Sequence, residues 1–178
     1  FIARHPGRIP AGVVCDSLVS AYDFMPTLLD YLGLKPLDMA KRPGVSFVPA
    51  LLGQDFERPG GIVVMDEYGP NRMLRDQRYK YIARYPYGPN ALYDLKADPG
   101  EQDNLLAHGG FEALEQELRG RLEKWFAKYV NPEIDGAREA VFGSGQIGLA
   151  GLWGAGVSAH SCDDYIKKNP NYALYRVK

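Results

Sequence analysis

Residues 92–106 read LYDLKADPGEQDNLL, an apolar segment that runs into a Pro-Gly pair, gathers four acidic residues and then returns to leucine. We interpret it as the end of a strand followed by a tight turn. Pro99 presets φ for a turn, and Gly100 tolerates the positive φ that a type II turn requires in the next position. The stretch therefore predicts a strand at 91–95 that stops abruptly and passes the chain to a helix.

The second half of this stretch predicts how the chain returns to the core. Asp103 and Asn104 can bond neighbouring backbone N–H groups, and Leu105 and Leu106 are expected to dock on the core. The carboxylates of 94–103 surround an open turn, where little desolvation is available to shift a pKa. We therefore interpret them as a structural signature and not as a catalytic acid–base pair.

A long helix is predicted after the signature. Its apolar residues recur at spacings of three and four, at Phe111, Leu114, Leu118, Leu122, Trp125 and Tyr129. Such a stripe covers one face of a sheet. The helix is therefore expected to pack on the strands that come before it.

Those strands are predicted at 61–69, in a hairpin at 72–85 and at 91–95. The hairpin turn is expected at Asp76 and Gln77. The second arm alternates between two faces, with Tyr79, Tyr81, Ala83 and Tyr85 on one and Lys80, Ile82 and Arg84 on the other. Several antiparallel strands with a covering helix form a two-layer α+β unit.

The first part of the chain predicts a short strand at 1–4, FIAR, and a helix at 23–33. The Asp23 carboxylate is expected to cap the helix N-terminus. Pro26 falls in the first turn, and Gly33 suits the left-handed position after the helix. The apolar stripe of this helix comprises Leu28, Leu29 and Leu32.

The bulk composition narrows the class of protein. The chain has 178 residues, of which 46% are apolar, enough for one domain or a core with a tail. With 21 basic against 22 acidic residues, neither a nucleic acid nor a membrane is implied as a partner. Cys15 and Cys162 lie far apart, which favours two unrelated thiols over a disulfide. Frequent glycines predict an irregular tail over 131–178.

Two short motifs in the tail are better explained by structure than by chemistry. GSGQIG at 143–148 matches G-x-G-x-x-G, but no βαβ unit follows, which favours a glycine-rich loop over a dinucleotide site. HSCDD at 160–164 groups metal-binding residue types in one irregular segment without a distant partner ligand, which favours a polar surface loop. No G-x-S-x-G motif supports Ser-His-Asp catalysis.

The hairpin carries a cluster of cations, which we call the basic hairpin: Arg72, Arg75, Arg78, Lys80 and Arg84. These side chains could contact an anionic substrate. Cations on strands also prevent edge-to-edge pairing, and charge clusters outside a motif are usually solvated. We favour this second interpretation.

Taken in order, five segments resemble the C-terminal portion of an arylsulfatase-like sulfatase of the alkaline-phosphatase superfamily. They are FIARHPGRIPAG (1–12), LVSAYDFMPTLLDYLGL (18–34), PGVSFVPALLG (43–53), RMLRDQRYKYI (72–82) and LYDLKADPGEQDNL (92–105). The signature residues within them are Asp23, Pro26, Thr27, Tyr93, Asp94, Asp98, Pro99, Glu101 and Asn104. Residues 125–146 are similar to the tail of one bacterial subgroup.

The resemblance implies a fold and a division into domains. Residues 1–60 would end a large α/β domain, with strand 1–4 in its sheet. Residues 61–130 would form a subdomain with a four-stranded antiparallel sheet and a long C-terminal helix, followed by the glycine-rich tail at 131–178. The α+β unit deduced above from residue periodicity agrees with this subdomain.

The resemblance also implies where the chemistry lies. Sulfatases use a formylglycine made from Cys or Ser in C/S-x-P-x-R, together with a divalent metal (Ca, or Mg or Mn). Neither Cys15 nor Cys162 fits that motif, and no serine does. In the family the nucleophile, the metal ligands and the catalytic Lys precede the position of Phe1. We therefore expect a fragment with no catalytic residue, no cofactor and no metal site, inactive alone.

Partners and alternatives follow from the same resemblance. We expect the chain to need an N-terminal catalytic part of the same polypeptide, to border a cleft for a sulfate-ester small molecule or sugar, and to be able to form homo-oligomers. Candidate substrate contacts are Arg72, Lys80, Gly145 and Gln146. The alternatives are part of a phosphonate or phosphate monoester hydrolase of the same superfamily and a non-catalytic binding or assembly module.

Overall fold

A computed structural model describes residues 1–35, 38–66, 71–85 and 89–135. The chain divides into two compact units, residues 1–62 and residues from 63 onward. From residue 136 the predicted glycine-rich tail lies outside the described residues.

The first unit contains two helices, α1 (Phe24–Tyr31) and α2 (Val48–Leu51), and a 3-10 turn at Ala21–Asp23. α1 ends as predicted, with Gly33 at φ 66°. The N–H of Leu34 donates to the carbonyl of Leu29 at 2.8 Å, and the N–H of Gly33 donates to that of Asp30 at 3.0 Å. This pair of bonds is a Schellman motif.

The strand predicted at 1–4 is not formed in the first unit, and much of the apolar stripe of α1 is exposed there. Residues 1–4 form no strand, because a strand requires a hydrogen-bonded neighbour and no described segment pairs with them. Ile2 is 97% exposed. The apolar stripe of α1 is also not buried within the unit: Leu28 and Leu32 are exposed, and Thr27 is the buried residue of the helix.

The second unit is built on a four-stranded sheet in the order β1-β2-β3-β4, which confirms the predicted sheet. The strands are β1 (Ile62–Met65), β2 (Asn71–Arg75), β3 (Tyr79–Arg84) and β4 (Ala91–Asp94). β3 pairs antiparallel with both neighbours. The hairpin turn lies where it was predicted, since Asp76 Oδ1 accepts from the N–H groups of Arg78 and Tyr79 at 3.0 and 2.8 Å.

One face of the sheet carries the core. Leu74, Tyr81 and Leu92 lie opposite one another on adjacent strands and are almost completely buried. Helix α3 (Glu112–Tyr129) covers them with three buried side chains, Leu118, Leu122 and Phe126. Burying each such side chain contributes about 1.5–3 kcal/mol.

The predicted stripe on α3 is correct at Leu118 and Leu122 but omits Phe126. Phe126 is 5% exposed, whereas Trp125 packs only at the margin of the core. The three- and four-residue spacings admit either neighbour, and in the structure it is Phe126 that lies against Arg72 of the sheet. None of the helices in the described ranges is both long and apolar enough to cross a membrane.

Candidate functional site

The turn after β4 begins with an acidic side chain that ends the strand. Asp94 Oδ2 accepts hydrogen bonds from Nε and Nη2 of Arg78 at 2.9 and 2.7 Å, and Oδ1 accepts from the N–H of Lys96 at 3.1 Å. The bonds from Arg78 lower the pKa of the Asp94 carboxyl below its ordinary value. Asp94 is therefore a paired carboxylate that joins β4 to the β2–β3 hairpin.

The backbone of the turn differs from the prediction at Gly100. Asp98 Oδ2 accepts from the N–H of Asp103 at 2.8 Å, and the Asp98 carbonyl accepts from the N–H of Glu101 at 3.2 Å. Glu101 has the positive φ, 55°, and Gly100 does not. The predicted type II turn is wrong because the Asp98 side chain closes a wider loop around Pro99, which places the left-handed residue one position later.

Asn104 caps the outer edge of β4 with its side-chain amide. Oδ1 accepts from the N–H groups of Leu92 and Leu106 at 2.9 and 3.2 Å, and Nδ2 donates to the carbonyl of Asn90 at 3.3 Å. The amide thus occupies the place that the backbone of another strand would take. The predicted backbone bonding of Asn104 is confirmed, and Leu105 and Leu106 pack against the core as expected.

The remaining acids of the signature also have separate partners. Glu101 Oε2 accepts from Lys80 Nζ at 2.6 Å. Asp103 Oδ1 lies 2.5 Å from His108 Nε2, so this side chain bonds a histidine and not the nearby backbone. Carboxylates with separate partners support the structural interpretation over a shared acid–base site.

Asp23, predicted as the N-cap of α1, instead bonds groups outside that helix. Its carboxylate accepts from the N–H groups of Ser20 and Val45 at 2.8 and 2.9 Å and from Arg58 Nη1 at 2.9 Å. The residue already has helical φ and ψ, −83° and −16°, because the turn Ala21–Asp23 precedes α1. Asp23 has the N-cap position directly before α1, but its carboxylate makes no bond to the first turn of that helix, so the predicted capping bond is wrong.

Arg58 completes this buried ion pair. Its side chain is 4% exposed and that of Asp23 is 0% exposed. Nε donates to the carbonyl of Gly61 at 2.9 Å and Nη2 to that of Pro43 at 3.2 Å, while the guanidinium lies 5.0 Å from the ring centroid of Tyr22. The buried guanidinium of Arg58 therefore joins three stretches of the first unit, those that contain Asp23, Pro43 and Gly61.

Thr27 and Pro26 hold the same region from α1. Thr27 Oγ1 donates to the carbonyl of Asp23 at 2.6 Å and accepts from the N–H of Phe47 at 3.0 Å. Gly44 lies so close to the start of the helix that a Cβ there would overlap a backbone carbonyl oxygen and lie 3.0 Å from Pro26 Cγ. The signature residues of this segment therefore have structural roles.

Arg72, a predicted substrate contact, lies on the core face of the sheet. Its guanidinium is 3.7 Å from the ring centroid of Phe126 and 5.0 Å from that of Tyr85, and it forms an ion pair with Asp135. Burial lowers the pKa of Arg72. These contacts join the sheet to the end of α3, and a contact with substrate stays a prediction.

The other predicted substrate contacts are distributed differently. Lys80 lies on the face of the sheet opposite α3, beside Tyr93 in the register, with its ammonium on Glu101. Gly145 and Gln146 lie outside the described residues. The structure therefore brings Lys80 to the signature turn and does not bring it together with Arg72.

Sequence patterns did not reveal two further polar connections. Glu115 Oε1 accepts from Asn90 Nδ2 at 2.8 Å and from the Tyr81 hydroxyl at 3.3 Å, and burial together with this carboxylate raises the pKa of Tyr81. Arg58 pairs with Asp23 across 35 residues. The position of Asn90 after Gly-Pro and before a strand is a turn signal, whereas no local pattern predicts the partner of Arg58.

Within the described ranges, no cluster of three or more His, Cys, Asp or Glu side chains could hold a metal ion. The segment HSCDD lies outside those ranges.

Comparison with known proteins identifies the pattern of these signatures. Residues 1–128 match the family described as N-sulphoglucosamine sulphohydrolase, C-terminal. An ulvan-active sulfatase of Formosa agariphila is 30% identical over 162 residues, covering 70% of this chain and 32% of the relative. A Δ4,5-hexuronate-2-O-sulfatase of Bacteroides thetaiotaomicron is 33% identical over 137 residues, covering 72% and 28%. The chain spans about a third or less of these relatives.

Solved structures show the same architecture. A candidate sulfatase of Bacteroides thetaiotaomicron is 34% identical with a TM-score of 0.50, covering 59% of this chain and 24% of that one. A protein solved in complex with its substrate D-glucosamine-2-N,6-O-disulfate has a TM-score of 0.51 over 66% of this chain and 25% of its own. At 23% identity the second likeness concerns the fold alone.

Proposed function

Since the chain belongs to the sulfatase family described as N-sulphoglucosamine sulphohydrolase, C-terminal, we propose that it is the C-terminal part of a sulfuric ester hydrolase that acts on a sulfated saccharide. Its role there is to complete the fold and to border the active-site cleft. The observation that carries the proposal is the family match over residues 1–128. The matched region includes the two hydrogen-bonded centres described above, one around Asp23 and Thr27 and the other in the turn from Asp94 to Asn104.

The names of the relatives support a saccharide as the substrate class. Their names refer to ulvan, to a hexuronate 2-O-sulfate and, for a third relative that is 28% identical over 158 residues, to N-acetylglucosamine 6-O-sulfate. The last two names give different positions of sulfation. They therefore support a sulfated sugar as the substrate class and leave the particular ester to experiment.

The cofactor chemistry of sulfatases does not fit the residues of this chain. Formylglycine would arise from C/S-x-P-x-R, a motif that this sequence lacks, and the carboxylates of Asp23, Asp94 and Glu101 are paired with cations. We therefore derive no catalytic step from these residues. Expressed alone, the 178-residue chain is expected to release no sulfate from an aryl sulfate above the blank.

The proposal is tested on the intact gene product. Peptide mass mapping should find a C/S-x-P-x-R peptide whose Cys or Ser has become formylglycine. kcat/KM should then be measured on sulfated disaccharides, on an aryl sulfate and on a phosphonate monoester. A formylglycine together with the highest kcat/KM on a sulfated disaccharide supports the proposal.

Two other outcomes would overturn it. A preference for the phosphonate monoester would assign the protein to the neighbouring hydrolases of the superfamily. An intact product without formylglycine or hydrolysis of any ester would leave a binding or assembly module.

A further inference from the structure

The two outer strands of the sheet differ in what lies along their outer edges. The edge of β4 is closed by Asn104, whose side-chain amide bonds the backbone of Leu92 and Asn90. At the other end of the sheet, no described strand lies outside β1 (Ile62–Met65). An open edge presents backbone N–H and C=O groups to any other extended chain, and proteins normally protect it. In its described part, the sheet therefore has one closed edge and one edge without a neighbouring strand.

The side chains of β1 carry none of the usual protection of an open edge. The strand reads Ile-Val-Val-Met, with no charged residue and no proline. Val63 is buried in the core, whereas Val64 and Met65 are 47% and 50% exposed. Because neighbouring side chains on a strand point to opposite faces, apolar surface is exposed on both faces of the sheet at this edge. The edge therefore fits a strand that is apolar on both of its own faces.

The described part of the chain ends near β1. Asp135, its last residue, forms an ion pair with Arg72 of β2. The residue before Arg72 is Asn71, whose Nδ2 donates at 2.6 Å to Oδ2 of Asp66, the residue directly after β1. Residues from 136 onward therefore start beside the end of the strand whose outer edge is open.

One segment beyond residue 135 matches this edge. Residues 172–177 read YALYRV, in which Arg176 is the one polar side chain, so both faces of an extended chain would be apolar. Tyrosine and valine are enriched in strands, and the glycines that weaken a strand end at Gly156. Asn-Pro-Asn at 169–171 is a turn signal directly before the segment. At about 3.3 Å for each extended residue, 136–171 is long enough to reach β1.

We propose that residues 172–177 pair with β1 as a fifth strand and close the open edge of the sheet. The outward N–H and C=O groups of 62–65 bond the added strand, and its apolar side chains cover Val64 and Met65. Arg72 holds Asp135 and so fixes the point from which this part of the chain starts. The closed edge then prevents a second copy of the protein from pairing with β1. The inference does not rest on the proposed function.

Hydrogen exchange of the intact gene product, followed at residues 62–65, tests the pairing. The outward amides of β1 should be protected in the wild type. Deletion of residues 172–177 should accelerate their exchange about tenfold, the equivalent of one lost hydrogen bond, and should leave residues 80–82 in the centre of the sheet unchanged. Equal exchange rates at 62–65 in the two proteins would overturn the proposal, because 172–177 would then not cover the edge.

Two proline substitutions test the pairing without a change in chain length. Successive N–H groups of a strand point to opposite sides, so one of Leu174 and Tyr175 donates toward β1 and the other points away from the sheet. Proline removes a ladder bond in the first position and is tolerated in the second. One of Leu174→Pro and Tyr175→Pro, and not both, should accelerate exchange at 62–65. Ser158→Pro, outside the segment, is the matched control, and an equal effect of all three substitutions would overturn the added strand.

The same measurements identify another occupant of the edge if the proposal is wrong. Protection at 62–65 that survives the deletion and increases with protein concentration would assign the edge to a second copy of the chain. Protection that survives at every concentration would assign it to another part of the same polypeptide. Both results overturn the pairing with 172–177. Ester hydrolysis is not among the readouts, so the proposed function and this inference fail separately.

Discussion

Lys80 Nζ donates to Glu101 Oε2 at 2.6 Å, and Glu101 holds this position with a left-handed backbone at φ 55°. Among the described non-glycine residues, Glu101 is the one with positive φ. A left-handed residue with a Cβ costs about 1–2 kcal/mol. The ion pair is partly exposed, at 22% and 33% for the two side chains, and such pairs contribute about 0–1 kcal/mol. The pair therefore offsets at most part of the strain.

Substitution of Glu101 should separate the strain from the ion pair. Glu101→Ala loses the pair and keeps the Cβ, whereas Glu101→Gly loses the pair and the strain together. We expect the glycine variant to be more stable than the alanine variant by about 1 kcal/mol, measured by urea unfolding of the intact protein. Lys80→Met is the control for loss of the pair alone. An alanine variant as stable as the glycine variant would show that φ at this position is unstrained.

The side-chain amide of Asn104 is expected to stabilise the outer edge of β4. Asn104→Ala removes an acceptor for the N–H groups of Leu92 and Leu106 and a donor for the carbonyl of Asn90, and a destabilisation of about 1–3 kcal/mol is expected. Amide exchange at Leu92 and Leu106 should accelerate more than exchange elsewhere in the sheet.

Gln102→Ala is the matched control for Asn104. Gln102 is an exposed amide in the same turn, and its Nε2 donates only to the carbonyl of Gly100. Little change in stability is expected for it. Equal effects of the two substitutions would contradict a special role for Asn104 at the strand edge.

Local patterns predicted the elements that local contacts build. The alternation along 79–85 and the spacing on α3 mark buried faces directly, and Asp76 closes its turn within three residues. These features gave the sheet, the hairpin and the helix that covers it. They also gave Gly33, because a left-handed residue at a helix end depends on its own turn.

The errors arise where a distant or competing bond decides. Asp23 fits an N-cap by sequence, but its carboxylate accepts hydrogen bonds from Arg58 and from the N–H of Val45 and not from the first turn of α1. Gly100 fits a type II turn, but the bond from Asp98 Oδ2 to the N–H of Asp103 shifts the left-handed residue to Glu101. For the candidate site, sequence identified the basic hairpin as a cluster, and only side-chain pairing shows which of its cations are bound to carboxylates.

The buried pair of Asp23 and Arg58 should be the most sensitive point of the first unit. Asp23→Ala leaves the Arg58 charge buried without its carboxylate, and removing one partner of a buried pair costs about 3–5 kcal/mol. Urea unfolding of the intact protein measures this loss. The double variant Asp23→Ala/Arg58→Leu is expected to recover part of it, since no unpaired charge remains.

The exposed pair of Arg119 and Glu123 provides the comparison. It joins residues four apart on α3, with side chains 51% and 53% exposed. Glu123→Ala should cost about 0.3–0.5 kcal/mol. A loss for Asp23→Ala as small as this would show that water reaches the buried site and that the pair does not hold the three stretches together.

Asp76 should make stability depend on pH at the acid end. Burial alone would raise the pKa of the Asp76 carboxyl, but bonds from the N–H groups of Tyr79 and Arg78 and from Arg121 Nη1 at 3.0 Å hold it below its ordinary value. A depressed folded pKa stabilises the protein above the unfolded pKa of about 3.9. That contribution is lost as pH falls through the lower, folded pKa.

Asp76→Asn should therefore destabilise the intact protein near neutral pH and lose this effect in acid. Asparagine can still accept from the two turn N–H groups, but it cannot pair with Arg121 as a charge. The difference in unfolding free energy between wild type and variant should be constant above about pH 5 and shrink below about pH 4, measured by urea unfolding across that range. Glu117→Gln is the control, because Glu117 faces the same Arg121 at 3.8 Å while 64% exposed. A difference that stays constant down to pH 3 would mean that the turn bonds, and not the charge, account for the effect of Asp76.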